Sequence, residues 1–119
     1  MSDIYTTGTW TPYPDKEEEF VRAWAQFATW ASTMPGAGLL SLTRDIRDTE
    51  RFISFGGWDR LDQVRHWKTA PEFRERMAQV LQHVAEFQPS ELKVIATADT
   101  GAAKIEQFFS EVTAHGSAT

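Results

Sequence analysis

Few side chains in this chain of 119 residues could carry out chemistry. There is no cysteine, which excludes disulfides, thiolate metal sites and a thiol nucleophile. Of the three histidines, His66 is the natural general base near neutral pH if its ring faces a cavity, although a solvated position fits its spacing equally well. His83 has the same two interpretations. No Ser-His-Asp or His-x-x-x-His spacing and no carboxylate pair near a histidine stands out, which disfavours hydrolase and metalloenzyme functions.

Arg44 is a second candidate catalytic residue, because it shares a predicted strand face with apolar neighbours at Leu40, Leu42 and Ile46. An arginine in such a place usually pairs with an acid or reaches the rim of the fold. Its guanidinium is also suited to holding the oxyanion of a substrate. The sequence leaves these alternatives open.

Aromatic side chains supply the material for a pocket, since the chain contains eight Phe and five Trp. Trp67 is the strongest candidate for a residue that lines such a pocket. The candidate substrate-binding residues are Trp24, Phe27, Trp58, Phe73 and Met77. Large apolar side chains at helical spacing also build ordinary cores, and each of these residues has that alternative.

Composition narrows the class of partner. The net charge of −5 and the lack of basic runs interleaved with aromatics argue against a nucleic-acid partner. No segment approaches 18 consecutive apolar residues and the N-terminus lacks a basic-then-apolar signal, so we expect a cytoplasmic protein with no membrane partner. The hydrophobic fraction of 41% indicates a folded domain.

The stretch from Arg51 to Met77 organises the elements that must position these residues. Residues 51–55 are apolar on both faces, which predicts a strand in the centre of a sheet. Gly56 and Gly57 then let the backbone bend or approach another group closely, and a short helix capped by Asp59 follows.

A second helix is predicted from about Ala70 to Glu86. Thr69 is its expected N-cap, Pro71 lies in its first turn and Glu72 completes a capping box. The apolar stripe of this helix continues through Val84.

Further elements flank this stretch on both sides. We predict strands at 4–10, 39–47 and 91–98, with Gly8 as a bulge or close-approach point, and a helix from Asp15 to about Thr33. Residues 99–101 form a loop. The expected C-terminal helix carries Ile105, Phe108, Phe109 and Val112 at helical spacing.

The order β-α-β-β-α-α-β predicts an α+β fold, the ferredoxin-like split βαβ, with a four-stranded antiparallel sheet and its helices on one face. We expect residues 1–98 to form this domain and residues 99–119 to add a loop and an amphipathic helix that docks on a dimer. Ile53 and Phe55 would then lie on the bare second face of the sheet. A second copy is the simplest cover, which predicts a C2 homodimer.

Two segments resemble the antibiotic biosynthesis monooxygenase family, of the dimeric α+β barrel superfamily. They are the opening IYTTGTW and the phrase FISFGGWDRLDQVRHWKTAPEF, within a resemblance that runs from about Ile4 to Ala98. Its most characteristic positions are Phe55, Trp58, Val64, Trp67, Pro71 and Phe73. The resemblance implies a pocket between sheet and helices, two sheets packed face to face in a dimer, and a monooxygenase that needs no cofactor. In such enzymes a small aromatic or polyketide-like substrate loses a proton and passes an electron directly to O₂.

The same resemblance carries two alternatives. Haem-degrading relatives use an Asn, a Trp and a His, and Trp67 stands at the tryptophan position. The histidine position falls near Met77 and the asparagine position near Thr7 or Gly8, so haem could bind only with different ligation. The other alternative, from a different functional class, is a non-catalytic dimeric module that binds a small hydrophobic molecule or haem.

Overall fold

The computed structural model of the chain describes residues 3–105. Its strands are β1 (Ile4–Pro12), β2 (Ala37–Arg44), β3 (Phe52–Trp58), β4 (Val84–Lys93), β5 (Ala96–Asp99) and β6 (Ala102–Ile105). Its helices are α1 (Glu17–Ala31), α2 (Leu61–Thr69) and α3 (Pro71–Leu81), with a short 3-10 turn at Pro14–Lys16. Strands β1 to β4 form an antiparallel sheet in the order β2-β3-β1-β4, while β5 and β6 form a separate hairpin. The predicted fold class is confirmed, and the small second sheet is an addition to it.

All three helices pack on one face of the sheet, here called the inner face. Its buried residues Trp10, Phe52 and Trp58 share one core cluster with residues of the helices. Phe20 of α1 packs against Trp10 and Phe52, with ring centroids 5.4 and 5.3 Å apart. Burying each such aromatic side chain contributes about 1.5–3 kcal/mol, and this cluster therefore holds α1 against the sheet.

The central position of β3 and its pairing with β2 are confirmed, but the bend allowed by its glycines is not present. β3 continues through Gly56 and Gly57 to Trp58, pairing with β1 throughout. A Cβ added at Gly56 would lie 2.9 Å from Cγ of Leu40 on the neighbouring strand. The glycine serves the close packing of a side chain on the strand rather than a change of direction.

Strand β2 ends at Arg44, three residues before the predicted end at Arg47. The cause is Asp45, whose Oδ1 accepts hydrogen bonds from the backbone N–H groups of Arg47 and Asp48 at 2.8 and 3.0 Å. Those bonds turn the chain toward β3, and they hold the pKa of Asp45 below its usual range. Side-chain bonds of this kind compete with the strand ladder.

Two predicted helix caps are wrong. At α2 the N-cap is Arg60 instead of Asp59, and the Gln63 side chain accepts the Arg60 N–H at 3.0 Å. Thr69 ends α2, where its hydroxyl donates back to the Arg65 carbonyl at 2.9 Å. Helix α3 therefore begins after Ala70, with Pro71 at its start as predicted.

Helix α1 follows its prediction more closely. It spans Glu17–Ala31, and Asp15 lies in the preceding 3-10 turn without capping the helix. Phe20, Phe27 and Ala31 are buried, which fits a helix with one apolar face.

The largest error lies at the end of the second predicted helix. Helix α3 ends at Leu81, and residues 84–93 form β4 along the whole length of β1. A register shift opposite Thr11 and Pro12 lets Val84 and Phe87 both face inward although they are three residues apart, which imitates helical spacing. Pro89 is tolerated because β4 is an edge strand.

The predicted strand at 91–98 is divided between β4 and β5. Residues 99–101 do form a turn, in which Thr100 and Gly101 have φ values of 51° and 82° and join β5 to β6. Ile105 belongs to β6, so the expected C-terminal helix does not include it. The rest of that helix lies outside the described residues.

The second, outer face of the sheet carries apolar side chains in contact with solvent. Phe55 is 41% exposed and Ile53 is half-buried. Every residue of β5 and β6 is exposed as well. Within residues 3–105, no helix has the length and apolar character needed to cross a membrane.

Gly8 is a close-approach point, as one of its two interpretations required; the bulge is at Thr11 and Pro12. A Cβ at Gly8 would lie 2.8 Å from Trp10 Nε1, 2.9 Å from Phe87 Cε1 and 3.0 Å from Ser54 Oγ. We expect Gly8→Ala to lower the free energy of unfolding by about 1–3 kcal/mol, because it overpacks a filled site. Urea denaturation measures this. Ser90→Ala, on exposed β4, is the control and should change stability by less than about 0.5 kcal/mol; equal stability of both variants would contradict the prediction.

Candidate functional site

A cavity of about 260 Å³ lies between the inner face of the sheet and the helices. From the inner face of the sheet its lining includes Thr6, Leu40, Ser54, Gly56, Phe87 and Pro89. Thr7 and Phe55 also belong to the lining, although their positions on β1 and β3 alternate to the outer face. The helices contribute Trp24, Phe27, Trp67, Lys68, Phe73 and Met77. Most of these groups are apolar or aromatic, with a few polar ones among them, which is typical of a small-molecule site.

Trp67 is the most informative residue of this lining. It is 4% exposed, and its Nε1 is the buried side-chain polar atom that has no hydrogen-bond partner among the described residues. Its ring lies 4.8 Å from Trp58, 5.0 Å from Phe73 and 5.7 Å from Phe27, measured between centroids. A buried donor without an acceptor costs about 1–3 kcal/mol. A ligand that brings an acceptor oxygen to this indole would recover that free energy.

The indoles of the two tryptophans on the inner face of the sheet have hydrogen-bond acceptors within the fold. Trp10 Nε1 donates to Ser54 Oγ at 2.9 Å, and Trp58 Nε1 donates to Thr6 Oγ1 at 3.1 Å. Both bonds join neighbouring strands. Trp67 differs from these two residues in lining the cavity without an internal acceptor.

Most of the predicted substrate-binding residues meet in this cavity. Trp24, Phe27, Phe73 and Met77 all line it together with Trp67. Trp58 does not appear in the lining; it is fully buried and packs behind the Trp67 ring. The substrate contacts themselves stay predictions.

His66 and Arg44 lie elsewhere. Helix α2 buries Val64 and Trp67 on one side, and successive helical residues diverge by about 100°, so His66 is turned to solvent. Arg44 pairs with Glu17 at 2.6 Å and its guanidinium lies 4.8 Å from the Phe52 ring centroid. Neither residue lines the cavity, so their predicted roles as base and oxyanion holder have no support from their positions. Among the alternatives weighed for Arg44, pairing with an acid is the one observed.

Several residues that line the cavity were not predicted from the sequence. Thr6 and Ser54 point inward with strand alternation, a signal that could have found them. Phe87 and Pro89 were missed because their segment was predicted as a helix end and a break. Lys68 is the charged side chain of the described lining, and its Nζ lies 3.0 Å from Glu91 Oε2.

Metal-ligating groups are not assembled in this part of the chain. No cluster of three or more His, Asp or Glu side chains within residues 3–105 is placed to hold a metal ion. The described lining of the cavity offers indole, hydroxyl, ammonium and aromatic groups.

Comparison with known families identifies residues 4–79 as a match to the model of the family described as antibiotic biosynthesis monooxygenase. The match includes β1, α1 and the segment from β3 to most of α3. It therefore covers more than half of the chain. A search of curated proteins found no match.

Solved structures agree on the fold. SnoaB from Streptomyces nogalater, a cofactor-independent oxygenase, superposes with a TM-score of 0.71 at 14% identity, covering 84% of this chain and 98% of its own. A family protein from Deinococcus radiodurans has a TM-score of 0.71 at 14% identity, covering 81% and 96%. One from Bordetella bronchiseptica has a TM-score of 0.70 at 20% identity, covering 80% and 99%. At such identities the likeness concerns the fold.

The unpaired indole leads to a binding prediction. Trp67→Phe should weaken binding of 2-naphthol, an aromatic probe with one acceptor oxygen, by about threefold to tenfold, the usual effect of one lost hydrogen bond. Titration calorimetry measures the change. Trp30→Phe is the control, because Trp30 also packs on Phe27 but lies outside the lining. Unchanged affinity in the Trp67 variant would remove its indole from the site.

The stability of the protein should depend more on the Trp58 indole than on the Trp67 indole. Trp58→Phe leaves the Thr6 hydroxyl without its donor, whereas Trp67→Phe removes a donor that had no acceptor. We expect Trp58→Phe to destabilise the protein by about 1–3 kcal/mol more than Trp67→Phe does. Chemical denaturation of both variants tests this, and equal losses would contradict it.

Proposed function

The chain belongs to the antibiotic biosynthesis monooxygenase family, and from that premise we propose that it oxidises a small aromatic or polyketide-like substrate with O₂ and without a cofactor. The observation that carries the proposal is the unpaired, buried Nε1 of Trp67, a residue that lines a mainly apolar cavity. The fold shared with SnoaB, a cofactor-independent oxygenase, supports it.

The Trp67 indole would act on the oxygen of the substrate. An anthrone or phenol that loses a proton to solvent leaves an electron-rich anion, and a fixed N–H donor stabilises the negative charge on its oxygen. The ring contacts of Trp67 with Trp58, Phe73 and Phe27 hold this donor in place. Little reorganisation is then needed when charge develops at the substrate oxygen.

The proposed reaction balances without an external reductant. The anion of an anthrone passes an electron to O₂, and the resulting carbon and oxygen radicals combine at the ring carbon that bore two hydrogens. Breaking the O–O bond then leaves one oxygen atom in a new carbonyl group, and the other leaves as water with both hydrogens. The substrate supplies all the electrons, and the aromatic walls keep water from the intermediates.

The size of the cavity favours a small substrate. A volume of about 260 Å³ lies just below the range usual for ligand pockets, about 300–1,000 Å³. A few fused rings suit this space better than a haem does. His66 and His83 also lie outside the lining, so the haem alternative gains nothing from their positions.

One observation favours the alternative of a non-catalytic binding module. The described lining residues include no His, Asp or Glu, so the cavity offers no obvious general base. A protein that only binds a hydrophobic molecule would need none. The two functions differ in whether O₂ is consumed.

Oxygen labelling separates them. With anthrone and ¹⁸O₂, the oxygenase should form anthraquinone carrying one labelled oxygen atom, with one O₂ consumed for each quinone and no hydrogen peroxide released. Buffer and heat-denatured protein give the background of spontaneous oxidation. Trp67→Phe should lower kcat/KM by about a hundredfold or more, the usual effect of removing one donor to an oxyanion. Rates equal to background across a panel of anthrones would leave the binding module as the function.

We further propose that the protein is a homodimer formed through the outer face of the sheet. Phe55 is 41% exposed on that face and Ile53 lies beside it. An isolated two-stranded hairpin is marginally stable in water, so the exposed β5 and β6 would also gain from a partner. A second copy placed face to face would cover these surfaces, with an expected interface above about 1,200 Å² in total.

Sedimentation at micromolar concentration tests the dimer. We expect a species of twice 13.5 kDa, the mass of one chain, and a single 13.5 kDa species would refute the proposal. Phe55→Asp should dissociate or unfold the protein, because it buries a charge in the interface. Ile46→Asp is the matched control, since Ile46 is 93% exposed in the loop between β2 and β3.

A further inference from the structure

The edge of the cavity holds a charged group with no part in the chemistry described above. Lys68 is the charged side chain among the described lining residues, and its Nζ lies 3.0 Å from Oε2 of Glu91 on β4. The side chains of Lys68 and Glu91 are 29% and 36% exposed. The ion pair therefore joins α2 to an edge strand where the cavity approaches solvent.

This pair is poorly suited to be only a structural clamp. Partly exposed ion pairs contribute about 0–1 kcal/mol to stability. An ammonium group has three N–H donors, and Glu91 accepts from Lys68 through one of its oxygens. Lys68 can therefore donate to a second acceptor at little cost.

Two residues with different donors thus line the same cavity from consecutive positions of α2. Trp67 is 4% exposed and offers a neutral N–H among aromatic rings. Lys68 offers a cation nearer to solvent. Since consecutive helical side chains diverge by about 100°, the two donors suit a flat ligand with polar groups at separate places on its ring system.

We propose that Lys68 recognises an anionic oxygen, an ionised hydroxyl or a carboxylate, on the aromatic ligand of this cavity. Lys68 would then determine specificity, and Glu91 would hold the ammonium in the free protein and compete with the ligand for it. The inference rests on the proposed function in taking this cavity as the substrate site. A charge-assisted hydrogen bond is about twice as strong as a neutral one, enough to select anions over neutral analogues.

Because the whole chain is acidic, recognition of an anionic ligand depends on charges close to the cavity. With a net charge of −5, the protein as a whole repels anions. An anion that binds well must therefore find a cation at the site itself. Salt screens such a partly exposed pair, so rising ionic strength should weaken anion binding if Lys68 is the partner.

Two probes of one ring system test the inference on the full chain. 2-Naphthoate carries a carboxylate, and 2-naphthamide is its neutral analogue of nearly the same shape. By titration calorimetry at low salt we expect the naphthoate to bind about tenfold more tightly. Lys68→Met should abolish this preference by lowering the affinity for the naphthoate more than the affinity for the amide, and Lys68→Arg should preserve it. Titration of 2-naphthol through its ionisation then separates an ionised hydroxyl from a carboxylate as the preferred group.

Glu91→Gln supplies the sharpest control, because the two partners of the pair should act with opposite sign. Removing the competing carboxylate should strengthen naphthoate binding, whereas Lys68→Met weakens it. A purely structural ion pair would instead give both variants the same loss of stability and no change in the preference between probes.

The possible failures are distinguishable. Equal binding of the two probes, or a preference that survives Lys68→Met, would overturn the role of Lys68 and leave the cavity as a binding site. Binding of neither probe would overturn both the role and the substrate site. A preference that depends on Lys68, in a protein that does not oxidise anthrone, would overturn only the oxygenase function.

Discussion

The pairing of β1 with both β3 and β4 is the constraint on which the rest of the structure depends. It places β1 in the middle of the sheet and sets Thr6, Gly8 and Trp10 along the centre of the inner face. Gly8 pairs with Ser54 on one side and Pro89 on the other, and its missing side chain leaves room for Trp10 and Phe87 to stack at 4.0 Å. The sheet side of the cavity is built from these same strands, so the strand register determines the shape of the site.

Three buried indole N–H groups differ in whether they have a hydrogen-bond acceptor within the fold. The indoles of Trp10 and Trp58 donate to Ser54 and Thr6, and these bonds tie neighbouring strands together. The indole of Trp67 has no such acceptor, although its ring is packed as tightly as a core residue. A buried donor without an acceptor calls for an explanation, and the proposed function supplies one, a substrate oxygen bound at this indole.

Two ion pairs differ in whether they include a residue that lines the cavity. Arg44 and Glu17 form an exposed pair away from the cavity, beside the Phe52 ring. Lys68 and Glu91 form a pair beside the cavity, and the proposed anionic ligand would exchange with this carboxylate. Ion pairs with similar distances can thus have different consequences, because only one of these two includes a residue of the cavity lining.

The sequence by itself determined the fold class, the element order, the central place of β3 and most of the aromatic side chains that meet in the cavity. These follow from local patterns, such as the stripe of Phe20, Phe27 and Ala31 in α1, which has a single period and one buried face. The tertiary structure alone decided the features that depend on partners distant in the chain. Val84 and Phe87 have helical spacing, and it is their pairing with β1 across a bulge that makes them part of a strand. His66 and Lys68 flank Trp67 on the same helix, and only the packing of α2 against the sheet turns His66 to solvent and leaves Lys68 at the cavity. A one-residue step on a helix rotates a side chain by about 100°, so the neighbours of a buried residue can be assigned to a site only when the surface that buries it is known.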